Sequence, residues 1–212
     1  MRFLSNNVVE IEHLDDDPCF ICPLAKQTRL SFPSTSISSV QPFELLHTNI
    51  WGDYRVPSTS GARYFLTIVD DYTRCTWVYL MNHKSETLSI LQSFIQLIEK
   101  QFSATVKHIR SDNGFEFNTP SYYSSKGIIH QTSCVFTPQQ NGVAKRKHRH
   151  LLNVSRALLF QANLHKHFWG DTILIAAYLI NRTPIHLLSG VSPYEKLFHV
   201  PPSYSATREG VY

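Results

Sequence analysis

The chain has 212 residues, of which 42% are hydrophobic and 17% are charged, so it can bury a core and does not have the composition of a disordered protein. One domain with an additional arm is the expected organisation. Apolar runs such as TILIAAYLI and FLTIV are too short to span a bilayer, and the N-terminal segment lacks the apolar stretch of a signal peptide. Composition therefore predicts a soluble, intracellular protein with no membrane partner.

The formal net charge of +4 is unevenly distributed along the chain. The first part is acidic, with Glu10, Glu12, Asp15, Asp16 and Asp17 against Arg2. From Phe117 to Gly170 there is no acidic residue, whereas the following cations are present: Lys126, Lys145, Arg146, Lys147, Arg149, Arg156 and Lys166. A polyanionic partner for this half is the favoured interpretation, with a solvated basic face as the alternative.

The chain has 4 cysteines: Cys19, Cys22, Cys75 and Cys134. Without a secretory signal they do not indicate a disulfide framework, and Cys75 and Cys134 are interpreted as core or strand residues. Cys19 and Cys22 form a CxxC pair, but a structural zinc site needs four ligands and His13 is the sole histidine before the pair. The sequence therefore predicts a zinc half-site that holds no zinc.

The N-terminal segment, residues 1–42, ends in the Ser/Pro-rich connector SFPSTSISSVQP, so the compact domain should begin near Phe43. Three segments rich in β-branched, aromatic and leucine residues follow, namely LLHTNIWG, RYFLTIVDDY and CTWVYLMN. Turn sequences separate them. This pattern predicts three consecutive antiparallel strands.

The hydrophobic period then changes to that of a helix. In residues 83–102, with Ser85 as the predicted N-cap, the apolar residues share one helical face: Leu88, Leu91, Ile95, Ile98 and Phe102. Strands are predicted at VKHIRSD and GIIHQTS, joined by a short connection, and helices at about 138–161 and 166–182. The second of these helices is apolar on nearly every side. The predicted fold is α/β, with a mixed five-stranded sheet and flanking helices.

Several of these segments occur in the order found in one family. HTNIWGDY, IVDDYTRCTWVYLM, IRSDNGFEF and TPQQNGVAKRKHRHLL resemble the integrase region of the Pol polyprotein of copia-type LTR retrotransposons. The preceding CFICPLAKQTRLSFPSTS and the following ANLHKHFWGDTILIAAYLINRTP and GVSPYEKLFHVPPSY resemble the same polyprotein, so the resemblance runs from about Cys19 to Tyr204. It implies an RNase H-like integrase catalytic core, whose Asp, Asp, Glu triad holds two Mg²⁺ ions for DNA strand transfer.

Carried onto this chain, the triad falls at Asn49, Asp112 and Lys145, so only Asp112 keeps a carboxylate. Two divalent ions about 4 Å apart need several anionic oxygens between them. Asn49 offers a neutral oxygen, and the ammonium of Lys145 repels a cation. The sequence therefore predicts that Asp112 does not hold Mg²⁺ and that catalysis is lost, and we expect an Asp112–Lys145 ion pair in place of the metal.

Other acids could in principle replace the lost carboxylates. Asp53 lies four residues beyond Asn49 in the sequence, about 13 Å along a continuing strand, which is too far to share a metal pair. Asp70 and Asp71 belong to the DDYTR motif of the family and are interpreted as structural residues that accept hydrogen bonds at a strand end.

The helix that begins near Gln139 should pack Val143, Leu151, Val154 and Leu158 on the sheet and present a basic face to solvent. In the family this helix carries the last catalytic acid and follows the DNA. DNA is therefore the expected partner, bound by Lys145, Arg146, Lys147, Arg149 and Arg156. The run KRKHRH also fits a short nuclear-localisation patch, so a nuclear location is expected, and a cytoplasmic one otherwise.

The resemblance divides the chain into a remnant of the pre-integrase zinc-binding module with its linker (1–42), a catalytic-core-like domain (43–185) and a truncated extension (186–212) that ends in ATREGVY. The expected protein is a pseudoenzyme of a transposable element that keeps its nucleic-acid-binding surface. Two alternatives stay open: a strand transferase with an unorthodox metal site, and a decaying fragment without selected function. Further copies of the chain or an active integrase are additional expected partners.

Overall fold

The computed structural model describes residue 37, residues 39–133 and residues 141–204. The chain divides into two compact units, Met1–Thr35 and Ser36–Tyr212, and all of the described residues belong to the second. The predictions for Cys19 and Cys22, for Cys134 and for the tail ATREGVY lie outside the described residues.

A mixed five-stranded sheet forms the centre of this unit. Its strands are β1 (Leu45–Trp51), β2 (Tyr64–Asp70), β3 (Thr76–Met81), β4 (His108–Ser111) and β5 (Ile129–Thr132), in the order β3-β2-β1-β4-β5. β1 to β3 pair antiparallel, whereas β4 pairs parallel with both β1 and β5. The predicted sheet is confirmed, including its three consecutive antiparallel strands.

Five α-helices of the described part flank the sheet. They are α1 (Thr87–Gln101), α2 (Pro120–Lys126), α3 (Gly142–Gln161), α4 (Trp169–Arg182) and α5 (Pro193–Phe198). Short 3₁₀ turns precede α1 at Lys84–Glu86 and α4 at Lys166–Phe168. None of the described helices is long and apolar enough to cross a membrane.

The start of α1 differs from the prediction. Ser85 lies inside the 3₁₀ turn and is not the N-cap. The Glu86 carboxylate reaches back to the chain before the turn, where it accepts from Asn82 N at 2.9 Å and from His83 N at 2.7 Å. A carboxylate accepts charge-assisted hydrogen bonds from two donors at once, which a serine hydroxyl does less well.

Helix α2 replaces the short connection that the sequence analysis predicted between β4 and β5. Pro120 occupies its first turn, and Gly127 ends it in the left-handed conformation with φ of 66°. Proline at the start and glycine just after the end are the usual signals of a helix. Tyr123 is buried on the helix and anchors it to the core.

The sheet separates two hydrophobic layers. On one face, Leu46, Leu66, Ile68 and Ile109 pack in the same cluster as the buried side of α1. On the other face, Phe65 packs in a cluster built largely from α3 and α4: Leu151, Trp169, Ile173, Ala176, Ala177 and Ile180. Each fully buried side chain of this size contributes roughly 1.5–3 kcal/mol, so the two layers fix the helices firmly on the sheet.

The compact part extends beyond the predicted limits of 43–185. Before Phe43, the backbone N–H and the hydroxyl of Ser39 both donate to Asp71 Oδ2 at 3.0 Å. After residue 185, Leu197 of α5 is buried in the cluster on the α1 side of the sheet. Buried hydrogen bonds therefore join Ser39 to the domain, and apolar contacts join α5 to it.

Candidate active site and basic helix

The three triad positions lie where β1, β4 and the start of α3 meet. The recorded pairing of the parallel strands β1 and β4 runs to His47 opposite Arg110. Asn49 and Asp112 each follow this last pair by two residues, just beyond the paired stretch. Lys145 lies in the first turn of α3. The fold therefore brings together the segments that carry the three predicted triad positions, of which only Asp112 is a carboxylate.

Asn49 is only 6% exposed and lies among neutral polar groups. Its partner in β2 is Thr67, and neither Asn49 Oδ1 nor Thr67 Oγ1 has a hydrogen-bond partner among the residues that the structure describes. The Nε2 atom of His148 on α3 is likewise buried and has no partner within the described part of the chain. A buried polar atom left without a partner costs about 1–3 kcal/mol. Asn49 is therefore energetically unfavourable where it stands and provides no charge.

His148 approaches this strand from α3. Burial lowers the pKa of His148 to about 4, although its hydrogen bond with the backbone of Asn49 acts in the opposite direction. Its ring also packs edge-on to Phe65, with the ring centroids 5.3 Å apart. His148 is therefore a neutral structural residue at neutral pH, and it adds no positive charge to the site.

Asp112 begins the turn that follows β4. Its side chain is half-buried, and Oδ1 accepts a hydrogen bond from Gly114 N at 3.1 Å. Nearby, Glu116 forms an ion pair with Lys84, with 3.0 Å between Oε1 and Nζ. The hydrogen bond from Lys84 to Glu116 raises the pKa of Lys84, and the negative charge of Asp112 adds to that increase. The carboxylate of Glu116 is thus already paired with a cation.

The expected Asp112–Lys145 ion pair is wrong. No such contact within 4.0 Å is among the ion pairs of the described residues, and the Lys145 side chain is exposed. Holding a long lysine side chain in one geometry costs conformational entropy, and an exposed ion pair returns only about 0–1 kcal/mol. The ammonium therefore stays in water.

The donor set does not fit a pair of Mg²⁺ ions. The triad positions provide one carboxylate from Asp112, one neutral amide oxygen from Asn49 and a cation from Lys145. Mg²⁺ prefers carboxylate oxygens, and two such ions need a shared anionic ligand. In the part of the chain that the structure describes, no group of three or more His, Cys, Asp or Glu side chains could hold a metal ion.

The remaining acids near the sheet take part in ion pairs and hydrogen bonds, and a structural role was predicted for Asp70 and Asp71. Asp53 lies beyond β1 and pairs with Arg63 at 3.8 Å. Asp70 accepts hydrogen bonds from Phe43 N at 2.8 Å and from the backbone and hydroxyl of Thr73 at 2.8 and 2.7 Å. Burial raises the pKa of Asp70 even though these donors act to lower it.

Asp71 lies at the centre of a buried network. Its Oδ1 is 3.0 Å from His47 Nε2 and 3.1 Å from Arg74 Nη2, while Oδ2 accepts the two hydrogen bonds from Ser39. None of these contacts leads toward Asp112. Asp71 therefore fixes the β2–β3 turn and cannot replace a catalytic carboxylate.

Helix α3 presents a basic stripe, which we define as Lys145, Arg149 and Arg156. The three side chains are exposed and recur at intervals of four and seven residues, which places them on one side of the helix. Within the described ranges, none of the three has an acidic partner within 4.0 Å. Arg146, next to the stripe, is exposed as well.

Lys147 differs from the other predicted DNA-binding residues. It is half-buried, because it lies about 200° around the helix from Lys145, on the side that faces the β2–β3 turn. Burial lowers the pKa of Lys147 to about 8, and the nearby guanidinium of Arg74 lowers it further. The structure therefore separates Lys147 from the basic stripe, which corrects its grouping with Lys145 and Arg149.

One positioning residue was missed in the sequence analysis. Asn141, fully buried just before α3, donates from Nδ2 to Thr48 O in β1 at 3.0 Å. This hydrogen bond fixes the start of the helix beside the triad positions. The asparagine before glycine in QQNGVA is a helix-start signal, but its partner in β1 is far away in sequence and could not be inferred from it.

Comparison with known proteins identifies the family. Residues 39–138 match the family model described as integrase core domain. The chain is also 36% identical, over 191 residues, to the retrovirus-related Pol polyprotein from transposon RE1 of Arabidopsis thaliana. Residues 39–138 are an integrase core domain. The matched region includes Asn49 and Asp112 and ends before Lys145.

Two further plant relatives agree with this result. The Pol polyprotein from transposon RE2 of Arabidopsis thaliana is 37% identical over 88% of this chain, and that from transposon TNT 1-94 of Nicotiana tabacum is 38% identical over 79%. The RE1 match covers 90% of this chain but 13% of that polyprotein, so the chain spans a small part of the relatives it matches. The resemblance to the integrase region of copia-type Pol polyproteins is confirmed.

Solved structures show the same fold. A chain of the simian T-cell lymphotropic virus intasome, in complex with PP2A regulatory subunit B56 gamma, superposes with a TM-score of 0.62 at 19% identity, covering 87% of this chain and 65% of that one. The HTLV-2 integrase catalytic core domain in complex with magnesium gives 0.54 at 18% identity, covering 74% and 97%. These likenesses confirm the RNase H-like integrase core fold.

Proposed function

We propose that this integrase core domain is catalytically silent and retains contact with DNA. One observation carries the first half of the proposal: of the three triad positions, only Asp112 provides a carboxylate, while Asn49 is neutral and Lys145 is a solvated cation. DNA integration is the activity that this domain would have by descent. The step that we propose it has lost is the chemical one, the joining of DNA strands.

Electrostatics explains why the site cannot compensate. An ammonium within about 4 Å of a divalent ion repels it by roughly 2 kcal/mol even in a water-like dielectric. A two-ion mechanism depends on anionic ligands that offset the mutual repulsion of the metals. Glu116, the acid next in sequence to this turn, is held by Lys84 at 3.0 Å and would have to break that pair to help. The alternative of an unorthodox metal site is therefore the less favoured one.

A strand-transfer assay tests catalytic silence. Purified protein is incubated with labelled DNA ends and target DNA in Mg²⁺ or Mn²⁺, beside an integrase that is active under the same conditions. We expect neither end processing nor joining. Metal-dependent joining above the protein-free background would contradict the proposal. The single variants Asn49→Asp and Lys145→Glu should also stay silent, because each leaves the triad incomplete.

The second half of the proposal depends on the basic stripe. Three exposed cations, none with an acidic partner among the described residues, lie on one side of α3, and residues 117–170 contain no acid. Such a surface binds phosphates in a sequence-tolerant and salt-sensitive way. DNA is the proposed partner, and further copies of the chain or an active integrase are proposed assemblies in which a silent core could take part.

A salt titration tests DNA contact. Log K should fall against log salt with a slope of about −0.9 for each phosphate neutralised, hence roughly −3 for three contacts, and without a need for Mg²⁺. If no duplex binding is found at low salt, the basic stripe is only a solvated face. The fragment without selected function would then be the remaining interpretation.

A further inference from the structure

Two histidines stand side by side in the connection between α3 and α4. His165 is the N-cap of the 3₁₀ turn Lys166–Phe168, His167 lies within that turn, and both side chains are exposed. Their imidazole rings stack, with the ring centroids 4.8 Å apart and the ring planes at 26°. This pair lies outside the triad positions and the basic stripe, and the proposed function gives it no role.

The separation of the two rings is that of two imidazoles bound to one metal ion. A histidine nitrogen lies about 2.0–2.1 Å from zinc, which places the metal about 3.2 Å from the ring centroid. Two such rings at metal angles between about 90° and 109° have centroids about 4.5–5.2 Å apart. The observed 4.8 Å falls inside this range. The spacing of the pair therefore fits a shared ion.

A hydrogen bond outside the pair sets the ring of His167. Its Nδ1 lies 2.8 Å from Pro57 O, and because a carbonyl oxygen only accepts, Nδ1 carries the proton. The Nε2 atom of the neutral ring is then left with the lone pair. Histidines that bind metals almost always donate their other ring N–H to a backbone carbonyl, a carboxylate or water in this way. His167 thus has the arrangement of a ligand that binds through Nε2.

His165 also has a nitrogen with a lone pair. Its Nδ1 accepts from His167 N over 3.4 Å, which is long for a hydrogen bond. The turn keeps the shorter bond from Phe168 N to His165 O, at 3.0 Å, whatever the ring of His165 does. A metal ion at this nitrogen therefore replaces only a weak contact.

The connection that carries the pair is held in place. Thr59 N donates to His167 O at 3.0 Å, and the Thr59 hydroxyl donates to Asp171 Oδ2 at 3.0 Å. Trp169 is 5% exposed and donates from Nε1 to Val56 O at 2.9 Å. Ligands on a fixed backbone lose less conformational entropy when they bind an ion. Asp171, joined to His167 through Thr59, also adds a negative charge that favours a cation.

We propose that His165 and His167 form a two-histidine site for a divalent transition-metal ion of the Zn²⁺, Ni²⁺ and Cu²⁺ class, with water completing the coordination. Imidazole suits these ions, whereas Mg²⁺ and Ca²⁺ prefer oxygen ligands. The site has two protein ligands, so it is compatible with the lack of groups of three or more ligating side chains in the described part of the chain. It does not depend on the proposed DNA contact.

Calorimetric titration of the full chain with Zn²⁺ tests the proposal. The wild type should bind Zn²⁺, and His165→Asn and His167→Gln should each lose at least about 10-fold in affinity, because loss of even an outer partner of a metal ligand costs about 10–100-fold. Asparagine can still accept from His167 N, so His165→Asn removes the imidazole and keeps the cap of the turn. His186→Gln is the matched control, because His186 is exposed and lies outside the pair. Its affinity should be unchanged.

Two results of this titration overturn the proposal. One is an absence of Zn²⁺ binding by the wild type. The other is an equal affinity in the wild type and in both variants of the pair. Thermal unfolding without metal should be the same in the wild type and in His165→Asn, which shows that the variant is folded when its affinity is measured.

The thiols of Cys19 and Cys22 can also take up Zn²⁺, so a second arm separates the two sources. The variant Cys19→Ser, Cys22→Ser should keep the binding that depends on His165. Cu²⁺ bound to this variant should show the nitrogen couplings of two imidazoles in electron paramagnetic resonance, and those of one imidazole after the further change His165→Asn. Loss of all Zn²⁺ binding with the two thiols, or couplings that His165→Asn leaves unchanged, overturns the histidine site.

Discussion

His47 Nε2 lies 3.0 Å from Asp71 Oδ1, and both side chains are buried, at 1% and 2% exposure. The same carboxylate oxygen is 3.1 Å from Arg74 Nη2. Burial lowers the pKa of His47 although its hydrogen bond to Asp71 acts to raise it. Asp71 is thus the charge that compensates the buried Arg74 and joins β1 to the β2–β3 turn.

Replacing Asp71 by asparagine should strongly destabilise the domain. The change leaves the guanidinium of Arg74 buried without its counter-ion, and breaking a buried pair in this way costs about 3–5 kcal/mol. The free energy of unfolding from denaturant titration measures the effect. Asp53→Asn is the control, because the Asp53–Arg63 pair is exposed and spans 3.8 Å, so its loss should cost less than about 1 kcal/mol. Equal losses in the two variants would contradict this account of Asp71.

Acid should destabilise the domain through His148. Its folded-state pKa is about 4 against an ordinary value of 6.5, so the unfolded state binds more protons between these values. Stability is therefore fully present above about pH 6.5 and falls as the pH drops toward 4, by about 3 kcal/mol from this residue. His148→Gln should flatten the pH dependence over that window. An unchanged slope in the variant would show that His148 is not buried as a neutral ring.

Lys147 and Arg149 should differ in their effect on DNA binding. Arg149→Ala removes a cation of the exposed stripe, so it should weaken binding for all sequences and reduce the salt slope by about one unit. Lys147→Ala should leave the slope unchanged, since that amine is half-buried toward the β2–β3 turn. Fluorescence anisotropy at several salt concentrations measures both. Equal slopes for the two variants would mean that Lys147 reaches the phosphates.

Magnesium should not stabilise the wild-type domain. A ligand that binds the folded state raises the unfolding temperature by mass action, and the triad positions lack the carboxylates for such binding. Thermal unfolding with and without Mg²⁺ measures this directly, with Ca²⁺ as a control for general ionic effects. The double variant Asn49→Asp, Lys145→Glu regains the three acids and is expected to show a magnesium-dependent increase. A specific increase in the wild type would show that the native donor set binds the ion.

Much of the fold could be predicted from local patterns in the sequence. The strands β1, β2 and β3 show the β-branched and aromatic enrichment of a buried sheet, and α1 shows one clear apolar face. Helix α2 was missed because it is only 7 residues long, too short for a periodic pattern, although Pro120 and Gly127 mark its ends. Ser85 was wrong as a cap because α1 begins only at Thr87, after the 3₁₀ turn that contains Ser85.

The site was less predictable because its contacts join distant segments. The family motifs locate Asn49, Asp112 and Lys145, but they do not show that Lys145 remains in solvent. The position of Lys147 depends on how α3 lies against the β2–β3 turn, which is a tertiary property. The exposure of Phe115 could not be predicted either, because Phe117 is the same residue type in the same turn and is fully buried. Sequence gives residue types and spacing, whereas burial is decided by the neighbours.

The hydrogen bond from Asn141 to Thr48 O has a consequence for how such a domain can change over time. It fixes where α3 starts on β1, and His148 and Leu151 fix the next turns of the helix through buried contacts. No triad side chain takes part in this attachment. Mutation can therefore exchange the catalytic acids without shifting the helix, and the same framework could accept them back. The placement of α3 on β1 can therefore be conserved while the residues at the triad positions change.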